Sequence, residues 1–245
     1  MNTIKKIFRK SIKRAVRVPD RFFWWWKIRS VFKNDFTKNK SNKVWEINYI
    51  DSLLHHSHQN KLISLDFLKA IKKRKLFLDQ IKNSNSILEL ACGTGELSHF
   101  INQKYNTQKI IGLEISESAV KIADFLYSNN NLSFVKINPE DKLNEFGKFD
   151  TVICSQLLEH FSKPDIMIEK MFEVAPVVIA IIPYDQPIID TYTEEGGGGH
   201  VYRFTEDSFK LYKIIDSVIF ETLGWDYSSK GETPKQLAVL ISKKD

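Results

Sequence analysis

The chain of 245 residues has little of what several protein classes are built from. It contains two cysteines, Cys92 and Cys154. These are too few for a disulfide scaffold or a cysteine-ligated metal cluster, and they are typical of a reducing compartment. No apolar stretch approaches the roughly 18 residues of a membrane span. The first residues also lack the apolar segment of a secretory signal. We therefore expect a cytoplasmic protein, neither polytopic nor secreted.

Acidic residues are scarce at the start of the chain. Residues 1–43 hold 14 Lys or Arg against Asp20 and Asp35, whereas the remainder holds 22 basic and 28 acidic side chains. This change of sign predicts a basic arm over residues 1–43 and a globular domain over residues 44–245. Within that domain, residues 44–82 have a helical pattern and are expected to form a cap. Residues 83–245 are expected to form the core.

The basic arm has an amphipathic pattern. Over residues 4–17, apolar side chains recur at three- and four-residue spacing, and Lys or Arg fill most other positions. An aromatic run, Phe22–Trp26, follows. Basic and aromatic residues together suit a membrane interface, so we expect residues 4–29 to bind an anionic membrane surface and the protein to be membrane-associated. Three alternatives stay open: a nucleic-acid strand as partner, an arm that folds back over the cleft, and an organelle transit peptide.

From Ser86 onward, short apolar runs alternate with segments of helical period. The apolar runs are those around residues 87–90, 109–113, 132–137, 151–154 and 177–182. This alternation predicts an α/β fold with a parallel sheet. Two late apolar runs, Val218–Leu223 and Leu237–Ile241, are expected to complete the sheet as a hairpin edge.

A small-residue turn, Ala91-Cys92-Gly93-Thr94-Gly95, follows the first expected strand and precedes a helix. Open α/β sheets bind nucleotides at such a turn. A dinucleotide motif would have glycine at position 98, where this chain has Ser98. Glu89, at the strand end, is an anion poorly suited to lie beside phosphates. The turn therefore favours a cationic ligand over a dinucleotide, which disfavours a dehydrogenase.

A second acid, Glu114, ends the next expected strand about 20 residues further on. An acid at this place can accept hydrogen bonds from both hydroxyls of a ribose, which indicates an adenosine. Taken alone, Glu114 fits a helix-start acid before Ser116 equally well.

These residues and the segment Phe149–Phe161 resemble the class I S-adenosylmethionine-dependent methyltransferases. The resemblance covers residues 85–185 and extends more loosely to the end. It implies a Rossmann-like, seven-stranded, mainly parallel sheet with helices on both faces and the last strand antiparallel, beside a helical N-terminal extension. It also implies S-adenosylmethionine as cofactor and S-adenosylhomocysteine as product.

The resemblance further implies a set of cofactor-binding residues. The glycine turn would wrap the methionine half of the cofactor, Glu114 would hold the ribose, and Ile115 would pack on the adenine. Asn138 stands where many members have an acid that reads the adenine amino group. Ala91 replaces a common glycine, which is tolerable unless the backbone there needs a positive φ. The full set is Glu89, Ala91, Gly93, Gly95, Glu114, Ile115, Asn138, Pro139, Ser155 and Gln156.

The expected catalytic residues are two histidines. The sulfonium already activates the methyl group, so the protein mainly positions the acceptor, and a base assists if the acceptor is a hydroxyl. His160 follows the fourth expected strand, and His200 follows four glycines typical of a mobile loop. The alternatives are a structural histidine at 160 and a surface histidine in a disordered insertion at 200. Tyr184, Tyr202 and Arg203 are the expected acceptor-binding residues. No metal site is expected, and the cluster His55–His58 is interpreted as solvated or as part of a helix at the edge of the cleft.

The acceptor atom is predicted from a missing motif. Amino-methylating nucleic-acid enzymes of the family carry an Asn/Asp-Pro-Pro-Tyr loop where this chain has Ser155–Leu158. This difference favours an oxygen acceptor. The basic arm and the habit of the resembled family lead us to expect O-methylation of a small-molecule, saccharide or lipid-linked acceptor at a membrane surface. Two alternatives remain: an RNA methyltransferase that uses the basic arm, and a non-catalytic adaptor that binds the cofactor for its own stability.

Overall fold

The computed structural model describes residues 53–105, 109–138, 143–188, 199–223 and 233–244. The basic arm and Pro139 lie outside these residues, so the expectations for them stay predictions. The helices in the described ranges are α1 (Leu53–Ala70), α2 (Lys75–Asn83), α3 (Glu96–Tyr105), α4 (Glu117–Tyr127) and α5 (Pro164–Val174). The strands are β1 (Ser86–Leu90), β2 (Lys109–Glu114), β3 (Leu132–Lys136), β4 (Thr151–Ser155), β5 (Val177–Pro183), β6 (Lys213–Glu221) and β7 (Lys235–Ser242).

The seven strands form one sheet in the order β3-β2-β1-β4-β5-β7-β6. The first five are parallel, whereas β7 runs antiparallel to both β5 and β6. This arrangement confirms the predicted fold class. The order reverses at β1, which lies between β2 and β4, and the crevice outside the strand ends at such a point is where open α/β sheets bind ligands.

Side chains of β1 alternate between two hydrophobic layers. Leu88 and Leu90 pack with Met171 of α5 on one face. Ile87 packs on the other face in a cluster that includes Phe67 of α1. Each such buried side chain contributes about 1.5–3 kcal/mol to stability. The two layers fix β1 in the centre of the molecule, and with it the turn that follows.

The hairpin edge is longer than the apolar run predicted. β6 begins at Lys213 instead of Val218, and its register shifts between Ile214 and Asp216. Asp216 forms an ion pair with Arg74, which precedes α2. No helix in the described ranges is long and apolar enough to cross a bilayer.

The backbone passes so close to the Phe134 ring at positions 95 and 112 that both positions require glycine. A Cβ atom added at Gly95 would lie 2.6 Å from the Phe134 ring, and one added at Gly112 would also lie 2.6 Å from it. Gly95 has in addition a φ of 84°. The turn after β1 is therefore pressed against the β2–β3 half of the sheet in a way that only glycine allows.

We predict that Gly95→Ala destabilises the protein more than Gly147→Ala. Gly147 has a similar φ of 87°, but a Cβ atom there meets nothing within 4 Å. Gly147→Ala, the control, should therefore lower the free energy of unfolding only by the backbone strain, about 1–2 kcal/mol. Gly95→Ala should lower it by about 1–3 kcal/mol more, because the added methyl group overpacks the turn. Chemical denaturation measures both free energies of unfolding. Equal losses would contradict the close packing of the turn.

Candidate active site

The turn after β1 has an unusual backbone. Ala91 and Gly93 both have a φ of 54°, and Gly95 follows with 84°. The Cys92 amide donates to the Leu113 carbonyl at 3.0 Å, which ties the turn to β2. The expectation that alanine is tolerable at position 91 is wrong in one respect, because the backbone there does require a positive φ. An alanine in this region costs about 1–2 kcal/mol relative to ordinary conformations, and the packed turn holds it there.

Three acids surround this turn, and all are at most 4% exposed. Glu114 accepts hydrogen bonds from the Gly93 amide at 2.9 Å and the Ser116 amide at 3.0 Å. Glu89 accepts from the Ser98 amide at 3.0 Å and from the Ser98 hydroxyl. Glu96 accepts from the hydroxyls of Ser57 and Thr94. The crevice therefore concentrates carboxyl groups, which suits a cationic ligand.

Burial raises the pKa of two of these acids, Glu89 and Glu96. Burial raises the pKa of Glu89 to about 8, although the hydrogen bonds from Ser98 act in the opposite direction. Burial also raises the pKa of Glu96. At neutral pH the Glu89 carboxyl is therefore mostly protonated without a cation beside it. A bound ammonium group would favour the carboxylate form.

The end of β4 lies beside this turn, since Leu90 pairs with Cys154. Ser155 is half-buried there. Gln156 has a φ of 54°, and its side-chain Nε2 donates to Gln236 Oε1 at 2.7 Å. Its amide group therefore braces β4 against β7. Ile115 and Asn138, at the ends of β2 and β3, are partly exposed at the same edge of the sheet.

The structure brings the two predicted histidines together. The His160 and His200 rings lie with their centroids 5.2 Å apart at an interplanar angle of 75°. His160 Nδ1 lies 3.1 Å from the Gly199 carbonyl oxygen. His200 is only 6% exposed, so the alternative of a surface histidine is wrong. The pair lies just beyond the end of β4, where ligands bind in this fold class.

Sequence reasoning missed Glu159, which completes this group. It belongs to a short 3₁₀ helix, Leu158–His160, and is 1% exposed. Apart from its own backbone amide, which acts to lower its pKa, neither carboxyl oxygen of Glu159 has a hydrogen-bond partner in the described part of the chain. The three side chains each place a possible ligand atom within 4.8 Å of the others. An acid within the apolar run Leu157-Leu158-Glu159 was the signal that could have identified it.

The local environment keeps this group uncharged at neutral pH. Burial raises the pKa of Glu159 to about 8. Burial lowers the pKa of His160. The pKa of His200 is lowered to about 4, first by burial and then by the neighbouring His160. Both imidazoles are therefore neutral, the form that accepts a proton or binds a metal.

The three predicted acceptor-binding residues lie together near the end of β5. Tyr184 pairs with Phe204 in an isolated parallel bridge, and the Tyr184 hydroxyl donates to Glu206 at 2.8 Å. Tyr202 is half-buried, and its ring lies 4.6 Å from that of Phe204, centroid to centroid, at an interplanar angle of 48°. Arg203 is exposed and forms an ion pair with Asp185 at 2.6 Å.

A separate cavity of about 420 Å³ lies between α1 and the second half of α3. It contains neither an acid nor a histidine. Its lining consists of Leu65, Leu68, Lys69, Lys72, Phe100, Gln103 and Lys104. The acidic crevice at the strand ends suits a charged adenosyl ligand better.

Comparison with known proteins agrees with this geometry. Residues 81–193 match a family model described as a methyltransferase domain. The chain is similar to the ubiquinone/menaquinone biosynthesis C-methyltransferase UbiE of Xylella fastidiosa (strain M12). The identity is 24% over 221 residues, which cover 86% of this chain and 80% of that protein.

Two solved structures share the fold. One is a SAM-dependent methyltransferase from Anabaena variabilis, with a TM-score of 0.60 and 16% identity over 83% of this chain and 95% of the other. The second is the magnesium protoporphyrin IX methyltransferase ChlM from Synechocystis with bound SAH. It has a TM-score of 0.52 and 18% identity over 96% of this chain and 100% of the other.

The fold and the crevice define an enzyme of the methyltransferase class. The chain carries a methyltransferase domain over residues 81–193, with the fold of the class I S-adenosylmethionine-dependent methyltransferases, and S-adenosylmethionine is its cofactor.

Proposed function

We propose that the enzyme methylates a hydroxyl oxygen of a small-molecule, saccharide or lipid-linked acceptor. The observation that carries this proposal is the close pair formed by half-buried His160 and buried His200 just beyond the end of β4. A hydroxyl must lose its proton as it attacks the methyl group, and a neutral imidazole nearby can accept that proton. The Gly199 carbonyl oxygen near His160 Nδ1 favours the tautomer in which Nδ1 carries the proton and donates it to that oxygen. In this tautomer Nε2 is free to accept a proton.

The cofactor-binding residues are part of the same proposal. We assign the methionyl ammonium to Glu89 and the ribose hydroxyls to Glu114, which lie on either side of the glycine turn. Their burial and their hydrogen bonds to Ser98 and Gly93 support rigid positions for both carboxyl groups. Ala91, Gly93 and Gly95 would surround the methionine half. The remaining predicted contacts are those of Ile115, Asn138, Pro139, Ser155 and Gln156.

We predict that the affinity for S-adenosylhomocysteine rises between pH 6 and 8. Glu89 is mostly protonated below its pKa of about 8, and the cofactor's ammonium group favours the carboxylate, so binding releases a proton. Calorimetry in buffers of different ionisation enthalpy measures this release. Glu89→Gln should remove both the rise and the release. Glu96→Gln, a control at the start of α3 directly after the turn, should retain them. An unchanged pH dependence in Glu89→Gln would contradict the assignment.

We predict that His160→Asn and His200→Asn each lower kcat by about 10²- to 10⁴-fold. Both variants should bind S-adenosylhomocysteine as the unaltered protein does, because neither histidine belongs to the glycine turn. His58→Asn, on the exposed face of α1, is the matched control. Transfer of a labelled methyl group to a panel of hydroxylated acceptors measures the effect. Full transfer by both variants would exclude a role for the pair.

The basic arm supports a membrane surface as partner. Residues 4–17 combine a basic face with an apolar one, and five aromatic residues follow. Each basic residue near an anionic bilayer contributes about 1 kcal/mol to binding. The same composition supports the second candidate, an RNA acceptor, and the two differ in what the arm binds.

We predict that the full-length protein floats with vesicles containing anionic lipid and less so with purely zwitterionic vesicles. Replacing Lys5, Lys6, Arg9 and Lys10 with glutamine should abolish flotation and leave S-adenosylhomocysteine binding unchanged. Absence of flotation, together with salt-sensitive binding to RNA, would instead favour the RNA methyltransferase.

A further inference from the structure

Glu159, His160 and His200 lie together without a polar network that satisfies the acid. A carboxyl group buried away from water costs free energy unless it is hydrogen-bonded, paired or bound to a metal. Glu159 is 1% exposed, and no other residue in the described ranges donates a hydrogen bond to its two carboxyl oxygens. One ring nitrogen of each imidazole lies within 4.8 Å of a Glu159 carboxyl oxygen. The acid therefore lies where a cation would satisfy it.

We propose that Glu159, His160 and His200 bind one divalent transition-metal ion of the zinc type. Two imidazole nitrogens and one carboxylate oxygen form a donor set that Zn²⁺ takes with three protein ligands and an open fourth position. Mg²⁺ and Ca²⁺ prefer oxygen ligands, so this set discriminates against them.

The geometry is close to what such an ion needs. Ligand atoms around a tetrahedral Zn²⁺ lie roughly 3.3 Å apart, given bond lengths of about 2.0–2.1 Å. In this structure the three ligand atoms lie within 4.8 Å of one another. Side-chain rotations that move these atoms about 1–2 Å closer together would bring all three within bonding distance of one ion.

Backbone contacts hold the ligands in place. The amides of Val201 and Tyr202 donate to the Glu159 carbonyl oxygen at 2.8 Å and 3.2 Å. This ties the segment that carries His200 to the 3₁₀ helix that carries the other two ligands. The Gly199 carbonyl lies 3.1 Å from His160 Nδ1. Metal-binding histidines commonly donate their second ring N–H to a backbone carbonyl, which fixes the tautomer that binds.

The ion would serve the same cleft as the methyl transfer. The 3₁₀ helix begins three residues after β4, whose end lies beside the glycine turn. A hydroxyl bound at the open position of a zinc ion loses its proton to bulk water more readily. Its oxygen can then take the methyl group from the sulfonium, and the C–S bond breaks. In that state the imidazoles act as ligands and no longer as bases. This role rests on the proposed function, whereas the metal site itself does not.

Metal binding to the chelator-treated, full-length protein tests the proposal, with Zn²⁺ alone as the probe. We expect one ion per chain by elemental analysis after dialysis, with Co²⁺ giving the visible absorption of a tetrahedral site. Glu159→Gln and His200→Asn should each weaken binding about 100-fold or more, since even outer-shell changes cost 10- to 100-fold. His99→Asn, which removes a histidine stacked on Tyr127 elsewhere, should bind as the unaltered protein does.

Several outcomes would overturn the proposal. These are less than about 0.2 ion per chain with excess Zn²⁺, or equal affinity in the unaltered protein and the Glu159→Gln and His200→Asn variants. Binding of S-adenosylhomocysteine by the same samples shows that a negative result is not loss of the fold. Methyl transfer to a hydroxyl at full rate by the metal-free protein would refute the role of the ion in the reaction and leave the proposed function standing. Binding of one Zn²⁺ per chain without any methyl transfer would support the metal site and contradict the proposed function.

Discussion

The hydrogen bond from the Gly93 amide to the Glu114 carboxylate joins the turn after β1 to the end of β2. It fixes the width of the crevice in which the cofactor of this enzyme class binds. Glu114 also accepts from the Ser116 amide, at the start of α4. The contact of Gly95 with Phe134 presses the turn from the other side. The positive φ of Ala91 is a consequence, because the turn has no room to relax toward an ordinary conformation.

Buried acids are the common feature of the two ends of the cleft. Glu89 and Glu114 flank the glycine turn, and Glu159 lies beyond β4. Burial raises the pKa of Glu89 and of Glu159. These two groups therefore lower the free energy of unfolding as the pH rises from their unfolded pKa towards the raised folded pKa, because the folded state then binds more protons. This cost is typical of functional sites, where groups are held ready for a ligand. A cationic cofactor at one end and a metal ion at the other would each offset part of it.

Much of this site could be predicted from local patterns. The apolar runs identified the strands, and the turn with Glu114 identified the crevice, because both are encoded within about 30 residues. The approach of Glu159 to His200 could not be predicted in this way. The two residues are about 40 positions apart, and their contact depends on how the segment after β5 returns to the end of β4. The first half of β6 escaped prediction because Asp216 and Ser217 break its apolar run and are satisfied by Arg74.

A crystal structure of the enzyme with bound S-adenosylhomocysteine tests the central claim most directly. The account predicts the amino group of the ligand within hydrogen-bond distance of Glu89 and both ribose hydroxyls on Glu114. The adenosyl sulfur should point towards the group of Glu159, His160 and His200. A ligand bound away from residues 89–95, or a ribose that makes no contact with Glu114, would contradict it.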